Sequence, residues 1–224
     1  MTEQLPLELG HRAALGRDDF LVSDSNREAV GWIDAWPDWP ARGLVIVGPP
    51  ASGKSHLAQV WCARSGAATV SLSALTLPDA AAHLGEHHAV FIDDADQSPD
   101  ERNLFHLYNL LAEKGGTLLL TAREPPARWN LRLADLRSRL STLPVVAIRP
   151  PDDALMQGVL VKLFADRQLR VDPELVAYLS ARLDRSLAVA ARAVESLDRA
   201  ALSSHRALTI PFARDTLRGA GLMT

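Results

Sequence analysis

A glycine-rich loop between an apolar run and a helical pattern constrains the fold of this chain more than any other feature. Within residues 44–58, Gly48, Gly53, Lys54 and Ser55 fill every fixed position of the pattern G-x-x-x-x-G-K-[ST]. A chance glycine turn with an exposed lysine would match the pattern alone. The apolar run before the loop and the helical run after it supply the strand and helix that a phosphate-binding loop requires. The sequence therefore predicts a nucleotide-binding α/β unit.

The residue types of this loop suit phosphate chemistry. Glycines allow backbone N–H groups to turn toward phosphate oxygens, and the following helix adds the positive end of its dipole. Lys54 is expected to contact the β- and γ-phosphates, and the Ser55 hydroxyl is expected to ligate Mg²⁺. The expected cofactors are ADP or ATP with Mg²⁺, and the residues that would hold them are Gly48, Pro49, Pro50, Ala51, Ser52, Gly53, Lys54 and Ser55.

An acidic pair ends a second apolar run, over residues 89–96. In enzymes with a phosphate-binding loop, such a strand carries the carboxylate that holds Mg²⁺. We assign this role to Asp93, mostly through water, and expect Asp94 to orient or deprotonate an attacking water. The alternative is a strand end with solvated acids, and the loop at 48–55 favours the functional interpretation.

A hydroxyl ends the next predicted strand, residues 117–121. The carboxyl ends of strands in an open parallel sheet face the ligand crevice, so Thr121 could sense a γ-phosphate there. A hydroxyl that only caps the following turn is the alternative interpretation.

The order of the predicted elements divides the chain. Before the prolines at 150 and 151 we expect helices over 26–35, 77–84, 99–114 and 131–140, alternating with strands over 44–47, 67–72, 89–92, 117–121 and 145–148. After the prolines only helices are expected, over 152–168, 172–183, 186–203 and 210–218. This order predicts a flexible arm (1–17), a parallel-sheet α/β nucleotide domain (18–150) and a small all-helical lid (151–224).

The composition and a few isolated side-chain clusters limit the possible functions but do not assign catalytic or binding residues. The net charge of −3 gives no global sign of nucleic-acid binding, and the lone Cys62 is expected to pack in a core in a reducing compartment. No apolar run reaches membrane-spanning length and no signal segment is evident, so a cytoplasmic protein is expected. Three tryptophans are expected to pack under the sheet: Trp32, Trp36 and Trp39. Three histidines are expected in a solvated turn, which is favoured over a metal site: His83, His87 and His88.

Two further patterns leave alternatives open. Arg185, Arg192 and Arg199 recur every seven residues and are expected on one helix face, as a solvated stripe or with Arg185 directed at the nucleotide. Residues 4–9 alternate leucines with other residues, as in an extended segment that fills the pockets of a partner. The alternative is a terminal segment that folds back on its own core.

Together these stretches resemble the AAA+ ATPases of the DnaA group, and the Hda family of regulators in particular. The phosphate loop, the acidic strand end and the lid carry the AAA+ resemblance. Residues 138–140 are similar to the arginine-finger segment, residues 197–200 and 208–212 match the closing region of Hda, and residues 4–9 resemble its clamp-binding hexapeptide. Glu8 departs from the usual proline of the hexapeptide, and Arg123-Glu124 replaces the usual Asp-Arg pair.

The resemblance implies regulatory inactivation of the replication initiator. Such proteins bind the DNA-loaded sliding clamp (the β subunit of DNA polymerase III) and, with ADP bound, present an arginine finger to ATP held by DnaA. The roles it implies are finger for Arg139, nucleotide-sensing lid arginine for Arg185, first sensor for Thr121, and clamp binding for Gln4, Leu5, Pro6, Leu7 and Leu9. It also implies weak intrinsic ATP hydrolysis and a possible homodimer. Because the sequence stops at Thr224 with the lid and the net charge is −3, sequence-specific DNA binding is not expected.

Two other classes of protein fit the same motifs. An autonomous ATP-hydrolysing motor or helicase loader would use Asp94 on its own nucleotide and assemble into rings. A passive clamp-binding adaptor would use nucleotide only as a structural ligand and would keep full activity after Arg139→Ala.

Overall fold

A parallel sheet of five strands organises the first part of the chain in the computed structural model, which describes residues 20–71, 88–97, 100–204 and 206–223. The strands are β1 (Gly43–Val47), β2 (Ala68–Thr69), β3 (Ala89–Ile92), β4 (Thr117–Ala122) and β5 (Val145–Ala147), in the order β2-β3-β4-β1-β5. Every neighbouring pair is parallel. β1 lies between β4 and β5 and is buried along its whole length, as its unbroken apolar sequence predicts.

The strand register brings the carboxyl ends of three strands together. Ile46 of β1 lies opposite Thr121 of β4, and Ile92 of β3 lies opposite Leu120 of β4. The turns that follow β1, β3 and β4 are therefore neighbours at one edge of the sheet, where parallel α/β folds place their ligands.

Helices cover both faces of this sheet. They are α1 (Arg27–Asp34), α2 (Lys54–Ser65), α3 (Glu101–Lys114) and α4 (Ala134–Ser141), with a short 3₁₀ helix at Pro126–Arg128. Alternate strand residues point to opposite faces, so the sheet contributes to two separate cores. One core packs against α1 and α2 and includes Leu44, Ile46, Phe91 and Leu119; the other packs against α3 and α4 and includes Val45, Val90, Leu118 and Leu120.

The tryptophans pack under the sheet, which confirms their predicted structural role. Trp39 stacks on Trp61 of α2 with ring centroids 5.7 Å apart, and Trp36 meets the same ring edge-on at 6.0 Å. Cys62 is half-buried beside this cluster, and burial raises the pKa of its thiol.

Four helices follow the sheet and share a third core. They are α5 (Asp153–Asp166), α6 (Pro173–Ser180), α7 (Leu187–Ser204) and α8 (Ile210–Gly219). Asp152 caps α5 by accepting the Leu155 N–H at 2.7 Å, and Thr209 accepts the Phe212 N–H at the start of α8. None of the helices in the described ranges combines the length and apolar character needed to cross a membrane.

Several helix and strand boundaries in the structure differ from the predicted ones. The helix predicted from residue 131 begins at Ala134, and the strand predicted over 67–72 spans Ala68–Thr69 in the part of it that is described. Arg185 precedes α7, so the predicted stripe of three arginines is wrong: only Arg192 and Arg199 lie on that helix. The helix predicted over 77–84, together with His83 and His87, falls outside the described residues, and across the described chain no cluster of metal-ligating side chains includes His88.

Candidate nucleotide-binding site

The loop between β1 and α2 has the geometry of a tight glycine cradle. A Cβ on Gly48 would lie 2.3 Å from the carbonyl oxygen of Ile148, so only glycine fits against the segment that follows β5. Gly53 has a φ of 100° and Ala51 a φ of 57°, both in the left-handed region. These conformations turn the loop back so that α2 begins at Lys54.

Lys54 is folded into the loop. Its side chain is 5% exposed, and its ammonium donates to the carbonyl oxygens of Gly48 and Pro49, each at 2.9 Å. Burial lowers the pKa of Lys54, and the carboxylates of Asp94 and Asp93 oppose that shift. The ammonium therefore lies inside the loop, within the field of the acidic turn after β3.

Three predicted site residues meet at one carboxylate oxygen. Ser55 Oγ donates to Asp93 Oδ1 at 3.0 Å, and Thr121 Oγ1 donates to the same oxygen. Thr121 is fully buried, whereas Ser55 and Asp93 are exposed. The start of α2 and the ends of β3 and β4 thus converge on Asp93.

Asp94 does not share this contact, but its backbone does. The Asp94 N–H donates to Thr121 Oγ1 at 2.9 Å. Asp94 has a φ of 46°, a conformation that costs a non-glycine residue about 1–3 kcal/mol unless its surroundings hold it. The bond to Thr121 is one such restraint, and it leaves the Asp94 carboxylate exposed at the sheet edge.

Asp96 is a site residue that the sequence interpretation missed. Its Oδ2 accepts the N–H groups of Arg123 at 3.0 Å and Glu124 at 3.3 Å, while the Ala95 N–H donates to the Thr121 carbonyl at 2.8 Å. The turn after β3 is thereby tied to the turn after β4. A third acid two residues after the acidic pair was the available signal, but the sequence does not indicate which backbone groups it binds.

A cavity of about 200 Å³ adjoins the loop and is mostly apolar. It lies between the segment before α1, the start of α2, and helices α5 and α7, and its lining includes Phe20, Ser52, His56, Leu155, Val159 and Leu187. The rings of Phe20 and His56 pack 5.4 Å apart. Ser52 Oγ is buried and has no hydrogen-bond partner within the described chain.

The first residue of α7 contacts the loop directly. The Leu187 N–H donates to the Ala51 carbonyl at 3.3 Å, and the Leu187 side chain comes within 3.5 Å of the position that a Cβ on Gly53 would take. The helical part of the chain therefore covers the phosphate loop and closes one side of the cavity.

The two arginines singled out from the sequence lie elsewhere. Arg185 forms an ion pair with Asp153 at 2.9 Å and donates to the Pro151 carbonyl at 3.4 Å, where the sheet connects to α5. Arg139 is exposed on α4, which turns Leu136 and Leu140 toward the core. Neither arginine is hydrogen-bonded to the loop in the described structure, and residues 4–9 lie outside it.

Comparisons with known proteins agree with this architecture. A family model described as the lid domain of Hda matches residues 153–217. Domain III of the replication initiation protein DnaA from Thermotoga maritima is 18% identical with a TM-score of 0.77, over 94% of this chain and 98% of that chain. DnaA bound to AMPPCP and single-stranded DNA is 18% identical with a TM-score of 0.65, over 94% and 69% of the two chains.

A more distant structural match is the Holliday junction branch migration motor RuvB of Thermotoga maritima. It is 14% identical with a TM-score of 0.71, over 92% of this chain and 72% of that chain. At these identities the likeness establishes the fold, and it confirms the predicted parallel sheet covered by helices. The Hda match begins at the first residue of α5 and ends within α8, which confirms the predicted helical lid. The chain thus combines a parallel-sheet fold like that of DnaA domain III with a helical part that matches the lid domain of Hda.

Proposed function

We propose that this chain is a nucleotide-dependent negative regulator of replication initiation that promotes hydrolysis of ATP bound to DnaA. The observation that carries the proposal is the Hda lid match over residues 153–217, the helices that close over the phosphate loop. Within the proposal, residues 18–150 form the nucleotide domain and residues 151–224 the lid.

Nucleotide binding follows from the loop and the adjoining cavity. The N–H groups of residues 48–55 would hold the phosphates of ADP or ATP, and Lys54, which is bonded to two loop carbonyls, would contact the phosphate oxygens. The apolar cavity between Phe20 and the lid helices would accept the base, and the buried Ser52 hydroxyl lines this cavity. Because the phosphate loop follows β1 of the sheet and also contacts α7, nucleotide binding would be coupled to the position of the lid helices.

Mg²⁺ fits the donor set beside the loop. Ser55 and Asp93 present a hydroxyl and a carboxylate that lie 3.0 Å apart, and oxygen donors are the ligands that Mg²⁺ prefers. When bound, the ion supplies positive charge to the phosphate oxygens. Thr121 holds the Asp93 carboxylate in one orientation, and Asp94 is the residue placed to orient a water.

The regulatory step uses Arg139 in trans. Its exposure on α4, with no hydrogen bond to the chain's own phosphate loop in the described structure, suits delivery of a guanidinium to ATP held by a neighbouring DnaA subunit. Arginine fingers stabilise the charge that develops on the transferred phosphoryl group and raise hydrolysis rates on the order of 10³–10⁵-fold. Arg185 takes the nucleotide-sensing role in the lid.

Clamp binding is assigned to the arm, through Gln4, Leu5, Pro6, Leu7 and Leu9. Deletion of residues 1–10 should remove binding to the purified sliding clamp in surface plasmon resonance and leave ADP affinity unchanged. Equal clamp affinity for the truncated and full chains would contradict the assignment.

The proposed function is tested by following the decay of DnaA-bound ATP with purified DnaA, DNA-loaded clamp and this protein. Decay should accelerate only when all components are present. Rapid ATP hydrolysis by this protein alone, with DnaA left out, would instead indicate an autonomous motor. Clamp binding without faster decay of DnaA-bound ATP would indicate a passive adaptor.

A further inference from the structure

Glu101, the first residue of α3, binds a backbone segment far away in the sequence. Its Oε1 and Oε2 each accept the Arg132 N–H at 3.0 Å, and its Oε2 accepts the Leu133 N–H at 2.6 Å. Asp100 caps α3 just before it, by accepting the Asn103 N–H at 3.1 Å. The carboxylate therefore extends from a fixed helix start to two consecutive N–H groups.

The two residues that carry these N–H groups directly precede α4. The N-cap of α4 is Leu133, which has no side-chain acceptor for the free N–H groups at a helix start. Glu101 accepts the N–H of this N-cap residue and that of the residue before it, and it places a negative charge near the positive end of the α4 dipole. The same bonds lower the pKa of Glu101, because they favour its charged form.

Glu101 adds a polar restraint at the start of α4, beside the apolar packing of the helix. The helix has eight residues, of which Leu136 and Leu140 are buried. Its other end leads within three residues to β5, which is hydrogen-bonded in the sheet. Glu101 holds the end that precedes Arg139 by about one and a half helical turns.

We propose that Glu101 is a positioning residue for Arg139. By holding the start of α4, it fixes the site from which Arg139 reaches the ATP of a bound DnaA subunit. This inference rests on the proposed function, in which Arg139 acts in trans. Because a displacement of about 1 Å can cost on the order of 10²-fold in rate, a single carboxylate distant from the chemistry can matter.

The test compares Glu101→Ala, Glu101→Gln and the control Glu113→Ala, which removes an exposed glutamate from the other end of α3. The readout is the decay of DnaA-bound ATP with DNA-loaded clamp. Glu101→Ala should slow decay on the order of 10–100-fold, while Glu113→Ala should match the parent. Glu101→Gln keeps one neutral acceptor and should fall between them; it also supplies the readout if the alanine variant does not fold.

A double-variant comparison separates positioning from general damage. If Glu101 acts through Arg139, adding Glu101→Ala to Arg139→Ala should cause no further loss, and ADP affinity should match the parent. Parental decay with Glu101→Ala, or an equal further loss in the Arg139→Ala background, would overturn the inference. Parental decay with Arg139→Ala itself would overturn the proposed function, and this inference with it.

Discussion

The buried hydroxyl of Thr121 offers a sharp test of how the site is held together. Thr121→Val keeps the shape of the side chain but removes the donor to Asp93 and the acceptor of the Asp94 N–H. Valine suits the interior of β4, so the strand itself should form normally. The variant therefore isolates the two hydrogen bonds that join the turns after β3 and β4.

The expected cost follows from the surroundings of each bond. A neutral hydrogen bond contributes about 0.5–1.5 kcal/mol, and one to a charged group about 1.5–3 kcal/mol. Asp93 is exposed, so water replaces part of what its carboxylate loses. We expect a net destabilisation of about 1–2 kcal/mol. For a chain of this size that lowers the melting temperature by about 2–8 °C.

Thermal unfolding followed by circular dichroism measures this effect, with Thr117→Val as the matched control. Thr117 lies at the opposite end of β4, where its hydroxyl makes longer contacts of 3.3 Å to Trp36 Nε1 and 3.4 Å to the His88 carbonyl. Longer bonds are weaker, so the control should lose less. A melting temperature for Thr121→Val equal to or above that of Thr117→Val would refute the reasoning.

Three further predictions concern the loop and the lid. Lys54→Ala should lower ADP affinity by at least about 10–100-fold in calorimetry, since a charge-assisted phosphate contact is lost; unchanged affinity would contradict the loop assignment. Asp152→Ala should destabilise the chain by about 1 kcal/mol at pH 7. Because the Leu155 N–H lowers the pKa of Asp152, this difference should shrink in unfolding experiments as the pH falls below about 4, and a constant difference would contradict it. Asp153→Asn should release Arg185 and raise ADP affinity by up to about fivefold, the scale of an exposed ion pair; weaker binding would argue against a nucleotide contact for Arg185.

The sequence predicted the parts of the site that depend on local pattern and on parallel-sheet geometry. The phosphate loop is contiguous, so its residue types alone predicted the cradle that Gly48 and Gly53 form. Thr121 and Asp93 were assigned to the ends of separate strands, and parallel strands bring such ends to one edge. Their shared hydrogen bond is the observed result.

The parts that the sequence did not predict depend on side chains that bind distant backbone. Asp96 and Glu101 each accept two N–H groups from segments about thirty residues away, and no periodicity or motif encodes such partners. The helix α4 begins at Ala134 rather than at residue 131 because Leu133 has an extended backbone, with φ −78° and ψ 105°. Arg185 departs from its predicted helix face because α7 begins after it, where Ser186 Oγ accepts the Val189 N–H at 3.4 Å.

The central claim is that Arg139 acts on ATP held by another protein, and one measurement tests it most directly. The decay of DnaA-bound ATP is followed with DNA-loaded clamp and the parent, Arg139→Ala or Arg137→Ala, the last an exposed arginine on the same helix. The account predicts that Arg139→Ala keeps ADP and clamp binding but loses the acceleration, while Arg137→Ala retains it. Arg139→Lys should restore little, because an ammonium lacks the planar fork of guanidinium. Undiminished acceleration by Arg139→Ala would contradict the account.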